Sequence, residues 1–214
     1  MPALFPRWSN ALLAAALVGL AVLAFGGLGF LMLFQRTVFV TGEGRPLAQP
    51  VAFDHRHHAG DDAIDCRYCH DLAERSPRAG IPPTSRCLGC HSQIWNESPA
   101  LAAVWRSFEA DRPIAWTRVY VLPDFVFFDH SAHVTHGVGC VTCHGRVDRM
   151  ARVEQAVPLT MRWCVDCHRD PGPRLRPRGE IASMTWRAAD PAQGHALATR
   201  YAVAPGTDCS TCHR

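Results

Sequence analysis

The sequence predicts a mostly irregular and α-helical chain with little sheet. It divides into one N-terminal transmembrane helix and a domain of short helices. Three observations predict this: a long uncharged run near the N-terminus, ten cysteines in one fixed motif, and an internal duplication of histidine-bearing segments. The 214 residues have room for one domain or two small ones. An apolar share of 48% and a net charge of +3 exclude a disordered chain. The same weak charge, with aspartates mixed among arginines, argues against a nucleic-acid partner.

Residues 11–34 are 24 consecutive residues without a charge, rich in Leu, Ala, Val, Phe and Gly. A bilayer core needs about 20 such residues in a helix, so this run is long enough to span it. The apolar region of a cleaved secretory signal is shorter, about 7–15 residues. The run is therefore expected to stay as an anchor. Arginine counting leaves its orientation open, because Arg7 precedes it while Arg36 and Arg45 follow it. Ala15 and Gly19 form one small-xxx-small pair, too common in an Ala-rich span to settle packing.

Every cysteine belongs to a Cys-x-x-Cys-His unit. The units are Cys66, Cys69 and His70; Cys87, Cys90 and His91; Cys140, Cys143 and His144; Cys164, Cys167 and His168; and Cys209, Cys212 and His213. Ten cysteines and twelve histidines scattered at random give roughly 0.03 such units. Two thiols on one turn add to the two vinyl groups of a haem, and the adjacent histidine becomes the proximal iron ligand. Zinc ribbons need pairs of pairs, and five is odd; nor does zinc or a disulfide framework ask for a histidine after every pair. Thioredoxin-like pairs come singly in a βαβ context. The expected cofactors are five covalently bound haem c groups.

That chemistry sets both compartment and core. Haem c is attached outside the cytoplasm, so the chain is expected to be a single-pass protein of the inner (cytoplasmic) membrane with its haem domain on the periplasmic side. The 178 residues from Thr37 onward (214 less 36) leave roughly 36 per haem, too few for an ordinary apolar core. The porphyrins must then fill much of the interior, giving a mostly irregular and α-helical multihaem cytochrome c fold.

Self-comparison exposes the duplication. Phe53-Asp54-His55-Arg56-His57-His58 precedes the first two haem units, and Phe128-Asp129-His130-Ser131-Ala132-His133 precedes the next two, at offsets of 74 to 77 residues. Expected boundaries are 1–36 for the anchor (span about 11–34) and 37–127 for a first two-haem module with an intervening helix. A second two-haem module takes 128–170, and a linker with the fifth haem takes 171–214. In Phe-x-His-x-x-His the two histidines share one face of a helical turn and reach two different irons. His55, His58, His130 and His133 are therefore the expected distal ligands. His57 and His136 break the repeat and are expected to face solvent, and His195 has no counterpart. Four histidines leave one iron short, so Met150 or Met161 is expected as a fifth distal ligand, with Met184 a further thioether. Methionine ligation raises a haem's potential relative to bis-histidine.

Between the repeats, Leu101, Val104, Trp105 and Phe108 recur at helical spacing and predict an amphipathic helix. Residues 113–123 read as a short extended segment bounded by prolines, with aromatics for the haem faces. Residues 171–178, with three arginines, read as a solvated linker.

One anchor and five fixed redox centres suit electron relay and imply no catalytic residue in this chain. A catalytic multihaem reductase needs an open iron, often marked by an altered proximal ligand. All five units keep histidine, and with no lysine anywhere a Cys-x-x-Cys-Lys site is excluded. The apolar run also lacks a charged residue for quinol deprotonation, so a quinol site belongs largely to a partner.

The Phe-x-His-x-x-His pairs resemble those of class III and cytochrome c7-type proteins. More closely, the chain resembles the membrane-anchored pentahaem cytochrome subunit of alternative complex III. The likeness rests on Phe128 to His133, on residues 137–145 around Cys140-Val-Thr-Cys143-His144, on residues 159–169 around Cys164-Val-Asp-Cys167-His168, and on the closing Cys209 to Arg214. The resemblance implies a quinol:acceptor oxidoreductase complex with polytopic membrane and iron–sulfur subunits. In it this chain passes electrons to a monohaem cytochrome c or a terminal oxidase. Related pentahaem anchors accompany other molybdopterin-type oxidoreductases.

Overall fold

The structure is a computed structural model and describes residues 5–214. The chain divides into two units, one ending at Gly42 and one running from Glu43 to Arg214.

The first unit is built on α1, Ser9–Phe34. At 26 residues and a mean hydropathy of 2.4 it is long and apolar enough to cross a membrane. Helix suits that setting because each backbone donor finds its acceptor within the segment. The helix closes where Gln35 N–H bonds to Leu31 O, and the Thr37 hydroxyl donates to Phe34 O at 2.7 Å. A single turn, α2 (Val38–Thr41), follows.

The second unit is a set of short helices joined by irregular chain. Its order is a π turn at Arg56–Asp61, α3 (Cys66–Cys69), α4 (Thr84–His91), α5 (Ala102–Glu109), α6 (His130–Thr135), α7 (Cys140–His144), α8 (Met161–Arg169), α9 (Ala192–Arg200) and α10 (Cys209–Cys212). Among the described residues there is no strand, only isolated bridges such as Val126 with His213 and Val138 with Leu175. Local chemistry sets the helix starts. Asp65 Oδ1 accepts from Arg67 N–H at 2.8 Å ahead of α3, Asp129 Oδ1 accepts from Ser131 and Ala132 ahead of α6, and Thr160 Oγ1 accepts from Trp163 ahead of α8.

The apolar core is small. Val51, Leu88, Leu101 and Val104 form a cluster against which Cys87, Trp105, Ile114 and Trp116 pack. The predicted amphipathic helix is α5, tied to α4 through Ser107, whose hydroxyl meets Thr84 and donates to Arg112 O. Among the described residues no large side chain is fully buried. Few side chains of this unit are buried, as expected of a thin shell of chain.

Residues 113–123 run without helix or strand; Trp116 joins the small core and Tyr120 meets Cys143 O. One expectation about loops differs from the structure. The expected solvated linker at 171–178 is packed in: Leu175 is 2% and Arg176 is 6% exposed. The reason is pairing, since Leu175 bridges Val138 and Arg176 N–H bonds to Gly137 O beside α7.

Candidate haem-binding centre

The five Cys-x-x-Cys-His units all lie on single helical turns, in α3, α4, α7, α8 and α10. Numbered I to V in chain order, they are neighbours in a different order. The Cys66 thiol of site I neighbours Cys140 of site III, and their interaction raises the pKa of the first and lowers that of the second. Cys69 is raised by burial and then by the nearby Cys87, linking sites I and II. Cys143 is pushed up to about 12 by burial and then by Cys167 and Cys164, linking III and IV. Cys164 is raised by burial and then by Cys212, linking IV and V. The spatial order is II–I–III–IV–V, with the two modules joined through their first members.

The histidines come together in pairs. His58 and His91 have ring centres 6.0 Å apart, His133 and His168 6.0 Å, and His130 and His144 6.3 Å. Two imidazoles on opposite sides of one metal, each bond about 2 Å long, place their ring centres about 6 Å apart. His55 belongs with His70 by the same duplication. Burial, then His70 and His58, lower its pKa to about 4. His144 is also lowered to about 4, by burial and then by His130, His70 and His55. Burial likewise lowers His133. A neutral imidazole is the form that binds metal.

The second ring nitrogen fixes which atom is offered. The Nδ1 atoms of His58, His70, His91, His130, His133 and His168 face the backbone carbonyls of Asp54, Gly80, Ile94, Pro77, Asp129 and Gly206 at 2.7 to 3.2 Å. A carbonyl only accepts, so each Nδ1 carries the proton and each Nε2 keeps its lone pair for a metal. His55 Nδ1 is buried and has no hydrogen-bond partner. Such a nitrogen is costly in a polypeptide core and fits a ring held as a metal ligand. The donor set therefore suits haem iron at sites I to IV.

The phenylalanine of each Phe-x-His-x-x-His has a defined place. Phe53 stacks on His58 at 4.5 Å and meets His55 edge-on at 4.7 Å; Phe128 stacks on His133 at 4.5 Å and meets His130 edge-on at 4.8 Å. One ring thus sets the angle between two histidines destined for different sites. Sequence reasoning had noted these phenylalanines without a role for them. It missed the Tyr120 ring against His144 at 4.5 Å, and it missed the carbonyl partners, which carry no residue signature.

Site V differs. His213 meets Phe125 at 5.8 Å. Met150 is half-buried, its methyl 3.4 Å from where a Cβ on Gly145 would sit, beside His144. Met161 is 69% exposed on α8, and Met184 is half-buried near Arg176. His57 is solvent-facing beside Asp61, and His136 is exposed. His195 packs over Gly172, 3.6 Å from Asp170.

Part of the chain is similar to known cytochromes c. Residues 126–214 match the family described as cytochrome c7 and related cytochrome c. The chain is 35% identical over 97 residues to the multiheme cytochrome c subunit of menaquinone reductase from Nitratidesulfovibrio vulgaris (strain Hildenborough). The match covers 45% of each protein, so the chain spans about half the length of the curated relative it matches.

Proposed function

We propose that this chain is a membrane-anchored pentahaem c-type cytochrome that relays electrons within a membrane-bound quinone oxidoreductase and has no substrate of its own. The observation that carries this is the unbroken spatial series II–I–III–IV–V of thiol pairs. Haem iron bound along it would supply one-electron Fe(III)/Fe(II) exchange. The chain's own residues do the rest. Cys66, Cys69, Cys87, Cys90, Cys140, Cys143, Cys164, Cys167, Cys209 and Cys212 hold the groups covalently. His70, His91, His144, His168 and His213 bind the proximal face. His55, His58, His130 and His133 bind the distal face of the haems at I, II, III and IV, closing those irons to small substrates. Met150 or Met161 is the fifth distal ligand.

The α1 helix is the anchor, with the haem domain on the periplasmic side. The name of the partly matching relative supports a quinone as the redox partner of the complex. Within that class we assign the chain to an alternative complex III-like assembly. Polytopic subunits oxidise quinol there beside an iron–sulfur subunit, and this chain delivers electrons to a monohaem cytochrome c or a terminal oxidase. Pyridine haemochrome on the purified protein is expected to give five c haems per chain; two or fewer would overturn the reading. Purification in mild detergent is expected to retain those partner subunits, and recovery with a different oxidoreductase would reassign the complex.

A second reading is catalysis at site V, where the ring recorded against His213 is Phe125 and not a second imidazole. A ferric haem there that binds cyanide would support it; five six-coordinate low-spin haems would remove it.

A further inference from the structure

Arg176 is buried at 6% exposure beside the junction of the two haem modules. Its guanidinium lies against Gly139, the residue before Cys140, and a Cβ at Gly139 would collide with it. Nη1 donates to two neutral acceptors, Ser183 O at 2.7 Å and Glu180 O at 3.3 Å, while buried Nε has no partner. The group sits 5.3 Å from the Trp186 ring centre. No ion pair recorded among the described residues includes Arg176; its charge is met by backbone carbonyls, with Cys140 and the Glu180 carboxylate further off. An arginine cannot shed its proton in compensation. Burying a cation this way costs several kcal/mol and seldom serves stability. A charge kept there calls for a use.

We propose that Arg176 is a positioning charge that raises the reduction potential of the haem carried by Cys140 and Cys143. This rests on the relay reading above. The step concerned would be one-electron: Cys140, Cys143 and His144 would hold a haem able to take one electron from a haem held at site I or IV, with no bond made or broken. Reduction removes one positive charge, so a nearby buried cation favours the reduced form, and a low local dielectric keeps that effect large. Site III lies at the centre of the series, where a raised potential draws electrons out of either module. Gly139 is what lets the guanidinium approach.

The test is a spectroelectrochemical titration of the intact detergent-purified holoprotein and of Arg176→Met, Arg176→Gln and Arg176→Lys. The neutral variants are expected to make one of the five haems harder to reduce by on the order of tenfold, about 59 mV for a one-electron couple. Arg176→Lys is expected to restore most of the shift, which a purely structural tie would not do. Five haems with an unchanged titration in a neutral variant overturn the proposal. If neither neutral variant retains its haems, Gly139→Ala, which displaces the guanidinium while keeping its charge in the chain, provides the second reading: a harder reduction of one haem supports the proposal, and no change overturns it. A colourless wild-type protein would instead sink the relay reading, so the two failures are distinguishable.

Discussion

The imidazoles of His130 and His144 lie only 11° from parallel, with ring centres 6.3 Å apart. The corresponding angle is 62° for His58 with His91 and 49° for His133 with His168. Parallel axial rings split the two iron orbitals that bond with them, whereas crossed rings leave those orbitals nearly equal. The pair at site III is therefore expected to give a more rhombic low-spin EPR signal than those at sites II and IV. His130→Ala should remove that signal and convert one haem of five to high-spin, leaving the others unchanged. Exposed His195→Ala should leave all five as they are.

Phe128 touches both distal histidines of its module, so its loss should loosen two sites at once. Phe128→Ala is expected to lower holoprotein stability by about 1–3 kcal/mol, below the cost at a fully buried site because Phe128 is half-buried. Thermal unfolding followed by haem absorbance measures this. Phe128→Leu should cost less, and Phe53→Ala should reproduce the effect in the first module.

Tyr120 ties the loop between the modules to the second one. Its hydroxyl accepts from Ala156 N–H at 2.9 Å and donates to Cys143 O at 3.1 Å or Glu154 O at 3.3 Å. Tyr120→Phe strands that N–H and should cost about 1–3 kcal/mol. Burial pushes the phenol up to about 12 from its ordinary 10. The folded state then holds its proton where the unfolded chain has lost it, so the contribution is whole below pH 10 and fades as pH rises towards 12. The stability gap between wild type and Tyr120→Phe should therefore narrow over that interval, as chemical denaturation at a series of pH values would register.

Gly145 closes α7 directly after His144. It holds φ +62° and ψ −159°, a region almost reserved for glycine, and a Cβ there would lie 2.7 Å from Ala156 Cβ. Gly145→Ala is expected to destabilise by at least about 1–3 kcal/mol and to perturb the site III haem spectrum. Gly179→Ala, at a position open to solvent with no atom within 4 Å of a new Cβ, should change stability by less than about 0.5 kcal/mol.

The chemistry of this protein is written locally, and for that reason it was legible in the sequence. A thiol pair and a histidine on one turn need no tertiary context to form a Cys-x-x-Cys-His unit, so the five units and the apolar helix at Ser9–Phe34 could be read directly. The duplication likewise announced His55, His58, His130 and His133 as the histidines to watch. What only the tertiary structure decided was how those units meet. Nothing in the order Cys66, Cys87, Cys140, Cys164, Cys209 indicates that sites I and III adjoin, because that contact depends on chain folding across 74 residues. Arg176 illustrates the same limit. Amid prolines and other arginines it reads as solvated linker, since composition reports average solubility. Its burial comes from a backbone bond to Gly137 and from the missing side chain at Gly139, both distant in sequence. Covalent attachment is a property of neighbours along the chain; electrostatic environment is a property of neighbours in space.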